Sequence, residues 1–177
     1  LHFTIHSFPT RRSSDLVAAL VEIANLGCLT PHIWLSRVDR AEHPDQMIFD
    51  LDPSDGSVAP MREAALALRD LLEEIGLAPL VKTSGSRGFH VVVPLERGHD
   101  FDRVRALARR VAEILVDRHP DTLTLEQRKN KRGDRIFVDT LRNAYGQHAV
   151  APYALRARPG APVATPLRWQ ELESGGV

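Results

Sequence analysis

Met47-Ile48-Phe49-Asp50-Leu51-Asp52 is the stretch that decides the fold. An apolar run carrying two carboxylates one residue apart reads as a buried strand whose acidic side chains share a face, because strand side chains alternate. Asp52-Pro53-Ser54-Asp55-Gly56 then stops the run with turn residues. Two later segments answer it. Ser84-Gly85-Ser86-Arg87-Gly88-Phe89-His90 links two short apolar runs, and Arg135-Ile136-Phe137-Val138-Asp139 ends a third on another carboxylate.

Working outward, Val17 to Leu26 patterns as an amphipathic helix stopped by Gly27, and His32 to Leu35 as a short strand. Ser57 can cap a helix running to Ile75, with Ala64, Leu68, Leu71, Leu72 and Ile75 on one stripe. Pro79 to Thr83 and Phe89 to Val93 are strands too close together for a helical crossover, so they must be antiparallel. A second helix spans Phe101 to Asp117, with Val104, Leu107, Ala108, Val111 and Leu115 inward. Leu123 to Leu125, Arg135 to Val138 and Ala149 to Ala157 read as further strands, and Leu167 to Leu172 as a last helical turn or two. The expected class is α/β (α+β): a mixed, partly antiparallel sheet, helices on one face and the carboxylates on the other.

The chain has 177 residues, 43% hydrophobic and 26% charged, with zero formal net charge. That is ordinary for one globular domain, and no global basic character argues for nucleic acid. Charge is instead local: Arg128, Lys129, Lys131, Arg132 and Arg135 crowd the approach to Asp139. The single cysteine, Cys28, excludes an internal disulfide framework, and no apolar run reaches the length of a membrane span, so a soluble cytoplasmic setting is expected. His6-Ser7-Phe8-Pro9-Thr10-Arg11-Arg12-Ser13-Ser14-Asp15-Leu16 resembles the in-frame translation of a sequencing adapter. On that reading residues 1–16 are non-native and the genuine sequence starts near Val17. The alternative is a true N-terminal arm whose Ser14 or Asp15 caps the following helix.

Three carboxylates at strand ends suit hard divalent cations, which take oxygen ligands and leave positions for substrate phosphates. Turn chemistry alone accounts for Asp52, but not for Asp50 inside an apolar strand. The 84–88 turn offers glycines that let backbone approach an anion, with Ser84, Arg87 and His90 as donors; the plainer reading is a solvated hairpin turn. Asp139 can cap a turn or hold metal. The basic run can be a solvated loop or a phosphate contact. Arg156 and Arg158 can form a second phosphate clamp or lie on the surface, and Trp34 and Tyr153 can stack bases or pack at the rim of the core. A metal site beside a phosphate turn points to phosphoryl or nucleotidyl transfer.

The motifs FDLDPSD, VKTSGSRGFHVVVPL, RIFVDTLRN and VAPYALRARPGAPVATPLRW together resemble the polymerase domain of bacterial ATP-dependent DNA ligase D, of the archaeo-eukaryotic primase superfamily. The resemblance covers Val17 to the end and implies a primase/polymerase-type fold with an RRM-like catalytic core. It makes Asp50, Asp52 and Asp139 the catalytic and metal-binding residues, for two Mn2+ or Mg2+ ions. It assigns Ser84, Arg87, His90 and Arg158 to the nucleoside triphosphate, NTP or dNTP, and Arg132 and Arg142 to its phosphates or to organising the active site; Lys82, Lys129, Lys131 and Asn143 are expected to contact DNA. The implied activity is addition of nucleotides, preferably ribonucleotides, to primer ends or gaps bearing a 5′ phosphate in non-homologous end joining. A ligase domain in cis, Ku and a nucleoid-associated location follow from the same resemblance, as does a family N-terminal portion before Val17 that is not found here. De novo priming, a non-catalytic nucleotide- or DNA-end-binding module and, less readily, a metal-dependent nuclease are the other readings.

Overall fold

The strand from Gln46 to Asp52 lies inside a six-stranded sheet. The computed structural model describes residues 13–54 and 58–175. In chain order the elements are α1 (Ser13–Asn25), β1 (His32–Trp34), β2 (Gln46–Asp52), α2 (Val58–Glu74), β3 (Leu80–Thr83), β4 (Phe89–Pro94), α3 (Phe101–Arg118), β5 (Leu123–Thr124), β6 (Ile136–Asp139), β7 (His148–Val150), β8 (Pro166–Leu167) and α4 (Trp169–Glu173). The sheet order is β5-β6-β2-β4-β3-β8. Its β5–β6 pair is parallel and the other neighbours are antiparallel. A separate antiparallel ribbon joins β1 to β7. The mixed, partly antiparallel sheet with flanking helices is as the sequence led one to expect.

Alternation along β2 divides the molecule. Met47, Phe49 and Leu51 are fully buried against α2 and α3, together with Val91 and Val93 of β4 and Val138 of β6. Met61, Ala65, Leu68 and Leu72 of α2 and Val104, Ala108, Val111 and Leu115 of α3 close that core. Burying each large side chain contributes about 1.5–3 kcal/mol. Asp100 caps α3, its carboxylate accepting from the Arg103 N–H at 2.9 Å. On the opposite face Ile48 packs with Leu35, Phe101 and Ala149 in a smaller cluster beside the β1–β7 ribbon.

Four details differ from the sequence reading. Helix α1 begins at Ser13, four residues before Val17, because its apolar spacing marks only part of it. Ile75 and Leu107 are 51% and 42% exposed. Ile75 follows the last residue of α2, and Leu107 lies beside the Val104–Ala108–Val111–Leu115 stripe, beyond the arc that one sheet can cover. The strand expected over Ala149 to Ala157 is only His148–Val150. Pro152 has no N–H for a ladder and Tyr153 turns the chain with φ 62°, leaving one isolated bridge, Leu155 to Val163. The expected cap Ser57, the turn residues Asp55 and Gly56, and most of the adapter-like stretch lie outside the described residues.

Candidate active site

Strand register assembles what linear spacing only hinted at. Asp50 is the cross-strand partner of His90 on β4 and of Asp139 on β6, and His90 is the partner of Lys82 on β3. Partners across a sheet share a face. Lys82, His90, Asp50 and Asp139 therefore form one row over four strands, and Asp52, two residues along β2, projects from the same face. His90 Nε2 lies 3.3 Å from Asp50 Oδ1, and Arg142 Nε 3.9 Å from Asp50 Oδ2.

The carboxylates are electrostatically coupled. Burial pushes the Asp50 carboxyl up, but the hydrogen bond from His90 and the charges of Arg142 and Lys82 outweigh it and hold the group below the usual carboxylate range. Asp52 is pushed up by burial and by the charges of Asp50 and Asp139. Asp139 is pushed up by burial and by Asp50, against the pull of the Leu141 N–H.

Asp139-Thr140-Leu141-Arg142-Asn143 performs three tasks in five residues. Asp139 Oδ1 accepts from Leu141 N at 2.7 Å, so the turn-capping role holds alongside any ligand role. Arg142 reaches Asp50. Asn143 is fully buried; its Nδ2 donates to Ile48 O at 2.7 Å and its Oδ1 accepts from Ile48 N at 2.8 Å. Its amide thus replaces the ladder partner that β2 lacks where β6 has ended. Asn143 is therefore a structural residue, not an open DNA contact.

The 84–88 turn is held from within. Ser84 N donates to Gly88 O at 2.8 Å, and Ser84 Oγ accepts from the amides of Ser86 at 3.3 Å and Gly88 at 3.2 Å. The glycines were expected to admit an anion, but both admit protein. A Cβ on Gly85, whose φ is 64°, would meet Arg156 Cγ at 2.8 Å, and one on Gly88 would meet Leu51 O at 2.0 Å. Ser84 keeps its O–H to donate, while Arg87 is exposed to solvent.

A polar cavity of about 210 Å³ opens over this face, lined by Asp50, Asp52, Ser84, His90, Arg142 and Arg158. Arg156, Ser86, His32 and His148 also line it, beside the apolar Ala149 and Val150. Carboxylates thus stand opposite three guanidiniums, which suits a polyanion held beside a cation. The sequence left Arg156 open, gave His32 no reading and passed over His148. The missing signal was the β1–β7 ribbon, which brings His32 and His148 together with ring centroids 5.1 Å apart. His32 Nδ1 lies 3.0 Å from Thr30 O; burial, then His148 and the nearby arginines, lower its pKa against that hydrogen bond.

The remaining expected residues are dispersed. Lys129 and Lys131 are exposed. Arg132 is buried: Nε donates to Glu126 O at 2.8 Å, Nη2 to Gln127 O at 2.7 Å, and the guanidinium sits 4.1 Å from the Phe137 ring centroid. It staples the basic turn and bears on Asp52 and Asp139 by charge alone, with Nη1 buried and unpartnered. Arg132 is thus a positioning group rather than a lining one. Lys82 is buried and lines a second cavity. Of the two aromatics, Trp34 is half-buried edge-on to Tyr145 and Tyr153 is 72% exposed.

Among the described residues, no three His, Cys, Asp or Glu side chains are gathered closely enough to cage a metal ion as they stand. Asp50 is turned toward His90 and Arg142, and Asp139 toward Leu141 N. The donor set itself fits a hard divalent cation: carboxylate oxygens on one face, two of them raised by burial and then by neighbouring carboxylate charge that a cation would offset.

The family model for the LigD primase-polymerase domain matches residues 10–176. The chain belongs to that family. The multifunctional non-homologous end joining protein LigD of Pseudomonas aeruginosa is 38% identical over 157 residues, 88% of this chain and 19% of that protein. The multifunctional non-homologous end joining DNA repair protein LigD of Mycobacterium tuberculosis is 40% identical over 129 residues, 72% of this chain and 17% of that protein. The chain thus spans about a fifth of the length of these curated relatives. The solved polymerase domain from Mycobacterium tuberculosis ligase D, in complex with DNA, superposes with a TM-score of 0.85 at 33% identity, over 97% of this chain and 65% of that one.

Proposed function

We propose that this chain is the catalytic part of a nucleotidyltransferase that adds nucleotides, preferentially ribonucleotides, to DNA primer ends or gaps in non-homologous end joining. The observation that carries this reading is the register row: Asp139 and His90 flank Asp50 beneath a cavity walled by Arg142, Arg156 and Arg158. Membership of the LigD primase-polymerase family supports it.

Asp50, Asp52 and Asp139 would hold two Mn2+ or Mg2+ ions. When bound, such ions supply charge neutralisation for the polyphosphate and Lewis acidity toward the attacking 3′-hydroxyl. The chain's own groups do the rest. Arg142, Arg156 and Arg158 bind and orient the triphosphate, and Ser84 donates its hydroxyl to a phosphate oxygen. His90 fixes the Asp50 carboxylate through Nε2. Arg132 sets the field at Asp52 and Asp139 from behind. Lys129 and Lys131, both exposed, would meet the DNA backbone, and the exposed Arg87, in the same turn as Ser84, would reach the triphosphate. A 5′-phosphorylated gap, Ku and a ligase domain in cis are the partners this role calls for, with residues 17–177 forming the C-terminal part of the polymerase domain. A DNA substrate places the protein in the cytoplasm at the nucleoid, and no helix among the described residues is long and apolar enough to cross a membrane.

The test is extension of a labelled primer at a 5′-phosphorylated gap with Mn2+ and ribonucleotide. Single-nucleotide addition that requires the primer and disappears in Asp139→Ala is the expected result. Addition without a primer would point to de novo priming. Gap binding without addition would leave a non-catalytic end-binding module.

A further inference from the structure

The cavity that Lys82 lines has no part in the site above. It holds about 360 Å³, between the site face of the sheet and the β1–β7 ribbon, with Ile33, Leu80, Val92 and Val150 among its walls. That volume is in the range of small-molecule sites, which pair apolar walls with a few polar groups. The polar groups at its edge are mostly satisfied. Arg37 Nε lies 2.6 Å from Asp45 Oδ2, and Gln46 Nε2 donates to Trp34 O at 3.2 Å.

Lys82 is the exception. It is 5% exposed, and its Nζ is buried with no hydrogen-bond partner. A buried ammonium without a partner is costly, and proteins seldom retain one without a use. Asp50 attracts it through space but makes no hydrogen bond with it. Burial lowers its pKa to about 8, which still leaves it mostly protonated at pH 7.

We propose that this cavity binds a small, largely apolar molecule carrying one carboxylate, with the carboxylate paired to Lys82 Nζ and the apolar body against Ile33, Val92 and Val150. One unmatched cation deep in an apolar wall selects for a single anionic group on a hydrophobic frame. A polyphosphate would be favoured instead by the three arginines of the neighbouring cavity. Ala149 and Val150 line both cavities, so a ligand here touches the wall of the nucleotide site. The carboxylate site stands whether or not the neighbouring cavity transfers nucleotides.

Calorimetric titration of the 177-residue chain with 4-phenylbutyrate and with its neutral amide, 4-phenylbutanamide, tests this. The expected result is carboxylate binding at least about tenfold tighter than amide binding, a difference of about 1.4 kcal/mol. Lys82→Met should bind the two alike, and Val92→Trp, which fills the cavity, should bind neither. Equal binding of the two compounds by the wild-type chain, or binding of neither, would overturn the proposal. So would a carboxylate preference that Arg156→Gln removes and Lys82→Met leaves. Should Lys82→Met fail to fold, the wild-type comparison and the Val92→Trp chain decide the matter between them.

Discussion

The two faces of β2 differ by one residue of register and by everything else. Met47, Phe49 and Leu51 point into the helices and make only apolar contacts, whereas Ile48, Asp50 and Asp52 point to the cavities. One face is a packed core in which any atom lost leaves a void. The other is a polar row in which two carboxylates repel, an ammonium lacks a partner and a histidine bonds on one side only. The lesson is a division of labour: the helix face holds the strand in place strongly enough for the site face to remain unsatisfied. Such local conflicts are where binding energy is expected to act.

The comparison is broken most severely on the helix face. Phe49→Ala, at a fully buried position, should cost about 3–5 kcal/mol in denaturant melts. Asn143→Ala should follow at about 2–4 kcal/mol, since it strands both backbone groups of Ile48; a loss below about 0.5 kcal/mol would contradict the ladder-replacement role.

On the site face the signs reverse. The Lys82 ammonium titrates at about 8 when folded, against 10.5 unfolded, so between those values the unfolded chain binds more protons. Stability should therefore rise as the pH is raised from about 8 to 10.5, by up to about 3 kcal/mol. In Lys82→Met that rise should vanish and stability at pH 7 should increase, as read by melts across the pH series.

The smallest effect concerns the carboxylates. Asp52 and Asp139 have raised pKa values, so the ion-free protein should lose stability as the pH climbs from 3.8 through those values. Mn2+ should restore it at pH 7, shifting the thermal midpoint upward by a few degrees, and Asp139→Asn should abolish the shift.

Much of this was legible in sequence. Period-two alternation in Met47 to Asp52 gave the strand, its faces and the carboxylate pair, and the short spacing around Ser84 to Gly88 gave an antiparallel hairpin. Three features were not legible, each because it depends on partners distant in the chain. The row Lys82–His90–Asp50–Asp139 is a matter of register between four strands. The part played by Gly88 is set by a carbonyl on β2, at Leu51, and that of Asn143 by the backbone of Ile48. His32, His148 and Arg156 reach the cavity because a ribbon and a turn fold over the sheet, which no local pattern announces. Arg132 shows the converse: a basic run promised a phosphate contact, and the chain turned that guanidinium inward onto Phe137 and two carbonyls.

The central claim is that the site face of β2 performs nucleotidyl transfer while its helix face only supports it. Its most direct test is Mn2+-dependent incorporation of labelled ribonucleotide at a 5′-phosphorylated gap, comparing the wild-type chain with Asp50→Asn at matched thermal stability. Incorporation by the wild type and none by Asp50→Asn is the predicted result. Incorporation that survives in Asp50→Asn would contradict the account.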